Sequence, residues 1–99
     1  MAPESVVATR ELLARPKAGG ELRKVVICVG KPVWREDGFA VCPIEWDGLF
    51  SERLVMSAPG VDLMQAIFLA TNADDLVRGF GDSYEFFWPD GDKYFDESA

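Results

Sequence analysis

Apolar and polar residues along this chain change period once, near Pro59, and that change divides the expected structure in two. Before it, short runs of β-branched and aromatic residues alternate with polar ones between Gly, Pro and Asp. Residues 5–13 read as a first strand, closed by Arg15-Pro16-Lys17-Ala18-Gly19-Gly20. Residues 22–35 read as a long second strand whose centre, Val25-Val26-Ile27-Cys28-Val29, is apolar on both faces. Pro32 lacks the amide a central ladder uses, so its second half is expected at an edge or bulged. Residues 39–46 and 49–57 follow Asp37-Gly38 and Asp47-Gly48, and Asp-Gly between extended runs is a strong hairpin signal. Four strands in meander order are expected.

After Ser57-Ala58-Pro59-Gly60 the apolar residues Val61, Met64, Ile67, Phe68, Leu76, Val77 and Phe80 recur at helical steps, predicting one helix of up to five turns over 61–80. Asp62 suits its positive end, and Gly79 or Gly81 suits a left-handed cap at its close. Asn72-Ala73-Asp74-Asp75 is weak helix material and marks where a break would fall. Residues 84–88 form a last strand, followed by the turn Pro89-Asp90-Gly91-Asp92 and a return at Tyr94-Phe95. The reading is a single α+β domain over 1–99: four meander strands in an antiparallel sheet, one main helix on one face, and a C-terminal strand or hairpin. Ile27, Val29, Ile44, Ile67 and Phe68 are its expected core, with Phe68→Ala costing about 3–5 kcal/mol.

Composition adds that this is a folded chain, with 48% apolar and 12% aromatic residues. No apolar run approaches the ~20 residues of a membrane span. Met-Ala-Pro-Glu-Ser lacks the pattern of a secretory signal, so a cytoplasmic setting without membrane association is expected. Cys28 and Cys42 fit it as free thiols. With a two- or four-residue turn near Glu36-Asp37-Gly38, opposed positions have an odd sum, which sets Cys42 on the face of Val25, Ile27 and Val29 and Cys28 on the other. A bulge at Gly30-Lys31-Pro32 would reverse that parity.

Charge is sorted along the chain. Residues 1–35 hold seven cations against three carboxylates, about +4, and residues 36–99 hold three cations against fourteen, about −11, for a total of −7. Such a field draws basic partners and repels polyanions, so nucleic-acid binding is not expected. The chain has no histidine, the commonest general acid–base and zinc ligand. No complete phosphate-loop or metal-ligand spacing is present, and no catalytic residue, cofactor or metal is assigned. Asp90, Asp92, Asp96 and Glu97 lack the spacing of a calcium loop and read as turn and tail acids. The rings of Tyr84, Phe86, Phe87, Trp88, Tyr94 and Phe95 lie in an acidic segment, which suits core or interface better than base stacking.

Gly30-Lys31-Pro32, Cys42-Pro43-Ile44 with Gly48-Leu49, and Gly60-Val61-Asp62 followed by Gln65-Ala66-Ile67 and Leu69-Ala70 resemble the landmarks of a small bacterial family of uncharacterised domains. The resemblance covers about residues 22–80. It implies strands before a Gly-Val-Asp helix entry and a bacterial cytosolic setting, and it brings no assigned activity.

Two functional classes follow. One is a non-enzymatic, acidic protein-binding module. A single helix covers one sheet face, which leaves the second for the C-terminal hairpin or another copy of the chain, and a homodimer is the expected partner. Trp34, Phe87, Trp88 and Tyr94 are its candidate contact residues. Neutralisation of a basic protein, in the manner of an immunity protein, is the more specific version. The other class is a small-molecule site or modest carboxylate-based enzyme between helix and sheet, using Glu45, Asp47 or Asp62 among Trp34, Trp46 and Trp88.

Overall fold

A computed structural model describes residues 5–95 of the chain. Its strands are β1 (Val6–Pro16), β2 (Arg23–Gly30), β3 (Val33–Trp34), β4 (Ala40–Asp47), β5 (Leu54–Gly60) and β6 (Tyr84–Phe87), and its helices are α1 (Leu63–Ala70) and α2 (Ala73–Arg78). All strand pairs are antiparallel. Both β3 and β5 pair with Ala40 and Val41, and a strand has two edges, so β3 lies along the same edge of β4 as β2. The sheet therefore runs β5, β4, β2 with β3 in line, β1, β6. The α+β architecture stands, and three details of it differ from the sequence reading.

The second strand is broken. Pairing of β2 with β4 ends at Val29↔Ile44 and pairing of β3 with β4 resumes at Val33↔Val41. Pro43, with no amide to donate, falls in that gap, as does Cys42, whose Sγ donates to the Gly30 carbonyl at 3.1 Å. The break also changes the register. Trp34↔Ala40 has an even sum, because the turn spans 35–39 and closes with Arg35 N–H donating to the Phe39 carbonyl, whereas Val29↔Ile44 has an odd one. The turn is thus longer than expected, the bulge shifts the count by one, and the two departures cancel. Cys42 is buried on the helix face and Cys28 half-exposed on the other, both as free thiols.

The third connection is wider than a tight hairpin. Trp46↔Leu54 closes a loop over 47–53, so the fourth meander strand starts at Leu54 rather than Leu49. Leu49 leaves the ladder to become fully buried at the end of the core, and Arg23 donates to its carbonyl. Gly48 makes this possible: its φ is +100°, and a Cβ there would meet the Lys24 carbonyl oxygen at 2.1 Å.

The expected long helix is two short ones. Thr71 caps α1, its Oγ1 donating to the Ile67 carbonyl at 2.7 Å, and Asn72 caps α2 by accepting from the Asp75 amide. The break falls where Asn72 and two aspartates follow in sequence, residues that compete for backbone hydrogen bonds. Neither Gly79 nor Gly81 takes a positive φ; the chain leaves α2 through successive turns in which Phe80, Gly81 and Ser83 each donate to the carbonyl three residues back. This connection carries the chain over the helix face to the far edge, where β6 pairs with β1.

The core is the layer between helices and sheet. Leu12, Val25, Ile27, Val29, Ile44 and Trp46 point into it, and the Trp46 ring meets Phe80 and Phe86 edge-on at 4.9 and 6.1 Å. Ile27, Val29 and Ile44 are buried as expected and Ile67 is half-buried. Phe68 is not a core residue; it is 69% exposed.

Of the two covers expected for the second sheet face, the C-terminal hairpin is not one. The C-terminal return follows β6 in the plane of the sheet, through Phe87↔Lys93 and the Tyr94 amide donating to the Phe86 carbonyl, and it covers neither face of β2 and β4. Leu13, Val26, Cys28, Val41 and Pro43 on that face are half-buried by their neighbours. Ion pairs Lys24–Glu11 at 2.9 Å, Arg15–Glu85 at 3.1 Å and Arg53–Glu45 at 3.6 Å lie among them. Long charged side chains can lay their methylene stems over apolar neighbours, and Val33 and Val55 on this face stay 49% and 68% exposed in the single chain.

Candidate functional site

Met64, Phe68 and Leu69 of α1 point away from the protein, while Leu63 and Ile67 stay half-buried against the core. The helix begins at Asp62, whose carboxylate accepts from the Gln65 amide at 2.8 Å, while the Gln65 side chain accepts from the Val61 amide at 2.7 Å. This reciprocal cap differs from the common box by one residue, because the glutamine reaches past the capping residue to the one before it. The entry sets α1 over β4 and β5. There the sheet presents Gly60 and Ala40, and α1 answers with Ala66 and Ala70, both fully buried. A Cβ on Gly60 would come within 2.5 Å of the Ala66 amide nitrogen. No large side chain fits between backbones so close; Leu63 and Ile67 remain half-buried against the core, and the other bulky residues occupy the outer azimuth: Val61, Met64 and Phe68 are 64%, 79% and 69% exposed, at helical spacing, with Leu69 beside them.

The setting of this stripe is acidic. Residues 61–82 carry Asp62, Asp74, Asp75 and Asp82 against Arg78. At the start of α1 the stripe approaches an exposed aromatic: Trp34 ends the cross-strand row Trp34–Ala40–Gly60 on the helix face. Phe39, next in the chain to Ala40, is exposed as well.

The four aromatics singled out in the sequence do not share one surface. Trp34 lies beyond the end of β2, whereas Phe87, Trp88 and Tyr94 belong to β6 and its return, across β1 from the start of β2. Phe87 faces the helix-free side, with the Arg15 guanidinium 5.4 Å from its ring centroid. Trp88 and Tyr94 face the helix side, with ring centroids 4.7 Å apart. Tyr94 is buried: Arg10 donates to its hydroxyl oxygen at 2.7 Å, and the hydroxyl donates to Asp74 at 2.6 Å. Burial, foremost, and the bond to Asp74 push the phenol above its ordinary range. This chain of contacts ties β1, α2 and the C-terminal return together, a structural strut with little surface to offer a partner.

The carboxylates of the alternative reading point apart. Glu45 and Asp47 project from the helix-free face, Trp46 between them projects into the core, and Asp62 is held by its capping bond. Beneath the helix layer a cavity of about 160 Å³ is lined by Ala8, Thr9, Arg10, Ile27, Val29, Ala70, Thr71 and Ala73, with no carboxylate among them. No group of three or more metal-ligating side chains occurs among the described residues. Asp90 accepts from the Asp92 amide within its own turn, and Asp96 and Glu97 lie outside the described residues. Burial, then Glu45 and Asp47, raise the Cys28 thiol, and burial raises that of Cys42, so both are held in the unreactive protonated form.

No helix among the described residues is long and apolar enough to cross a membrane. Comparison of the chain with family models, with curated proteins and with solved structures finds no match.

The sequence reading missed Met64 and Phe68 as surface residues. Its period-3.6 pattern is apolar on both sides of α1, and the signal that resolves it is the small-residue set Gly60, Ala66 and Ala70.

Proposed function

We propose that this protein is a non-enzymatic binding module that engages a basic protein through the outer face of α1. The observation that carries the reading is the inverted helix, with Ala66 and Ala70 inside and Val61, Met64 and Phe68 outside. An apolar stripe of this kind inside a polar rim has the composition of a contact surface. The acidic rim at Asp62, Asp74 and Asp75 sets the sign of the partner, and steering by a net charge of −7 favours a cationic protein. Neutralising such a partner by covering its basic surface, as immunity proteins do, is the role that suits this size and charge.

The same charge argues against a second copy of the chain as occupant. A two-fold pairing of α1 with itself, parallel or antiparallel, sets acid against acid at each end of the stripe. The homodimer is the competing occupant that the test must separate.

The experiment is capture from extract of the source organism with the native protein and with M64E/F68E, alongside sedimentation equilibrium of both. The expected result is a basic protein held by the native chain, released by high salt and not held by the double variant, with the free chain monomeric near 11 kDa. Equal retention by both proteins, or a native dimer that M64E/F68E dissociates, would overturn the proposal.

A further inference from the structure

The outer edge of β5 has no neighbouring strand. β5 pairs with β4 alone, and outside that ladder no hydrogen bond with any described residue engages residues 54–59. The opposite edge of the sheet is closed: beyond β6, the Trp88 amide donates to the Asp92 carbonyl at 2.7 Å and the Tyr94 amide to the Phe86 carbonyl at 3.0 Å. The described chain starts at Ser5 before β1 and ends at Phe95 after that return, both on the far side of β2 from β5.

Two prolines fix what the free edge offers. Facing residues of an antiparallel ladder alternately exchange both backbone bonds or neither, and a proline cannot take part in a full exchange. Val41↔Pro59 and Pro43↔Ser57 are therefore the open pairs, and Ala40↔Gly60, Cys42↔Ala58, Ile44↔Met56 and Trp46↔Leu54 carry the bonds. The other side of β4 keeps the same alternation, since the Phe39 carbonyl accepts from the Arg35 amide beside β3. Val55 and Ser57 consequently turn both amide and carbonyl outward, and Pro59 turns out a carbonyl alone.

Little protects this edge. Edge strands are ordinarily blunted by charge, a bulge, a proline or a cover; β5 has no charged residue, pairs without a bulge, and holds its proline near its far end. Val55 is 68% exposed and Ser57 is exposed beyond it. The surroundings also carry a sign. Asp47 and Glu52 line a shallow depression beside Val55 and make no ion pair with a described residue, whereas Arg53, the cation there, is taken by Glu45 at 3.6 Å.

We infer that the edge of β5 receives an extended segment of the basic partner protein as an added strand, hydrogen-bonded to Val55 and Ser57 and stopped at Pro59. This rests on the reading of α1 for the identity of the occupant and adds how it is held. The exposed stripe of α1 starts at Val61, directly after the last residue of β5, so one partner can meet both. Alternation along the added strand sets cationic side chains on the helix-free side, toward Asp47 and Glu52, and apolar ones on the helix side, level with Leu54 and Met56. A second copy of this chain would bring the same two acids and an Arg53 already paired.

The probe is an alternating lysine–valine peptide of about seven residues, blocked at both ends and titrated at low salt into the isotope-labelled native chain. Binding at about 1 mM or tighter is expected, with the largest amide shifts and slowed hydrogen exchange at Val55 and Ser57. Ser57→Pro removes an outward amide, leaves the β4 ladder whole and follows an extended Met56, so the thermal midpoint should hold while affinity falls about fivefold or more. D47N/E52Q should weaken binding by about threefold or more, and a glutamate–valine peptide should not bind. Absence of binding, equal binding by S57P or of the glutamate peptide, or shifts confined to α1 would overturn the proposal. Concentration-dependent shifts at Val55 and Ser57 in the peptide-free protein would overturn it too, by placing a second copy on the edge. The reading of α1 fails separately, through capture that M64E/F68E leaves unchanged, because that variant keeps the residues of β5.

Discussion

Gly60 at the end of β5 and Ala66 in α1 lie backbone to backbone, so close that a Cβ on Gly60 would sit 2.5 Å from the Ala66 nitrogen and 2.9 Å from the Asp62 carbonyl oxygen. This approach decides the orientation of α1, and through it which apolar residues reach the surface. Both clashing atoms are backbone and lack a rotamer to move. Gly60→Ala should therefore destabilise the fold by about 1–3 kcal/mol, the usual cost of forcing extra volume into a packed contact. Urea denaturation checks it, and a loss within experimental error would show that α1 can lift from the sheet without penalty.

Phe68 and Trp46 should respond in opposite ways to truncation. Phe68 is mostly exposed, so Phe68→Ala should change stability by no more than about 0.5 kcal/mol, in place of the core-sized loss its helical period suggests. Trp46 is 1% exposed beneath Phe80 and Phe86, and Trp46→Ala should cost about 3–5 kcal/mol. Paired denaturation curves for the two variants decide the orientation of α1 directly.

Asp62 should matter through its cap. It accepts from the Gln65 amide at 2.8 Å at the start of a helix of eight residues, too short to hold itself in isolation. Asp62→Ala is expected to cost about 1 kcal/mol, and Asp62→Asn much less, because the asparagine oxygen accepts the same bond. A loss shared equally by both variants would instead assign the effect to charge.

Tyr94 should make the fold sensitive to alkali. Its phenol is raised by burial and by the bond to Asp74, so above the ordinary tyrosine range the unfolded chain releases that proton while the folded chain retains it. The contribution is fully present below pH ~10 and is lost as pH rises through the folded value. Chemical denaturation across that range should show stability falling in the native protein, and Tyr94→Phe should flatten the component due to this group. An identical alkaline fall in both proteins would assign the loss to other residues.

Much of this architecture is legible in local pattern. Alternation and breakers mark five strand regions, and Asn72 with the aspartates after it marks where the helix divides. The faces of Cys28 and Cys42 follow from strand parity, although two compensating shifts of register stand behind the result. The wide 47–53 loop was not legible: Asp47-Gly48 looks like a two-residue turn, and only the Lys24 carbonyl packed against Gly48 shows why the chain passes under the sheet before turning back. Of the residues read as a contact surface, Trp34 alone lies near the exposed stripe of α1. Tyr94 reads equally well as surface or core, because a tyrosine between a cation and a carboxylate is found only once β1, α2 and the return have met.

What the chain determines by itself is the set of elements and their order, since period, turn chemistry and capping residues act over a few neighbouring positions. The inward face of α1 was decided by tertiary structure. Its apolar residues encircle the helix and local pattern is indifferent between the two sides; the glycine opposite admits only alanine, so close backbone approach buries the small residues and turns Met64 and Phe68 outward. The meeting of Lys17 with the end of the chain has the same origin, for its amide reaches the Ser83 carbonyl only because the connection after α2 brings β6 to pair with β1.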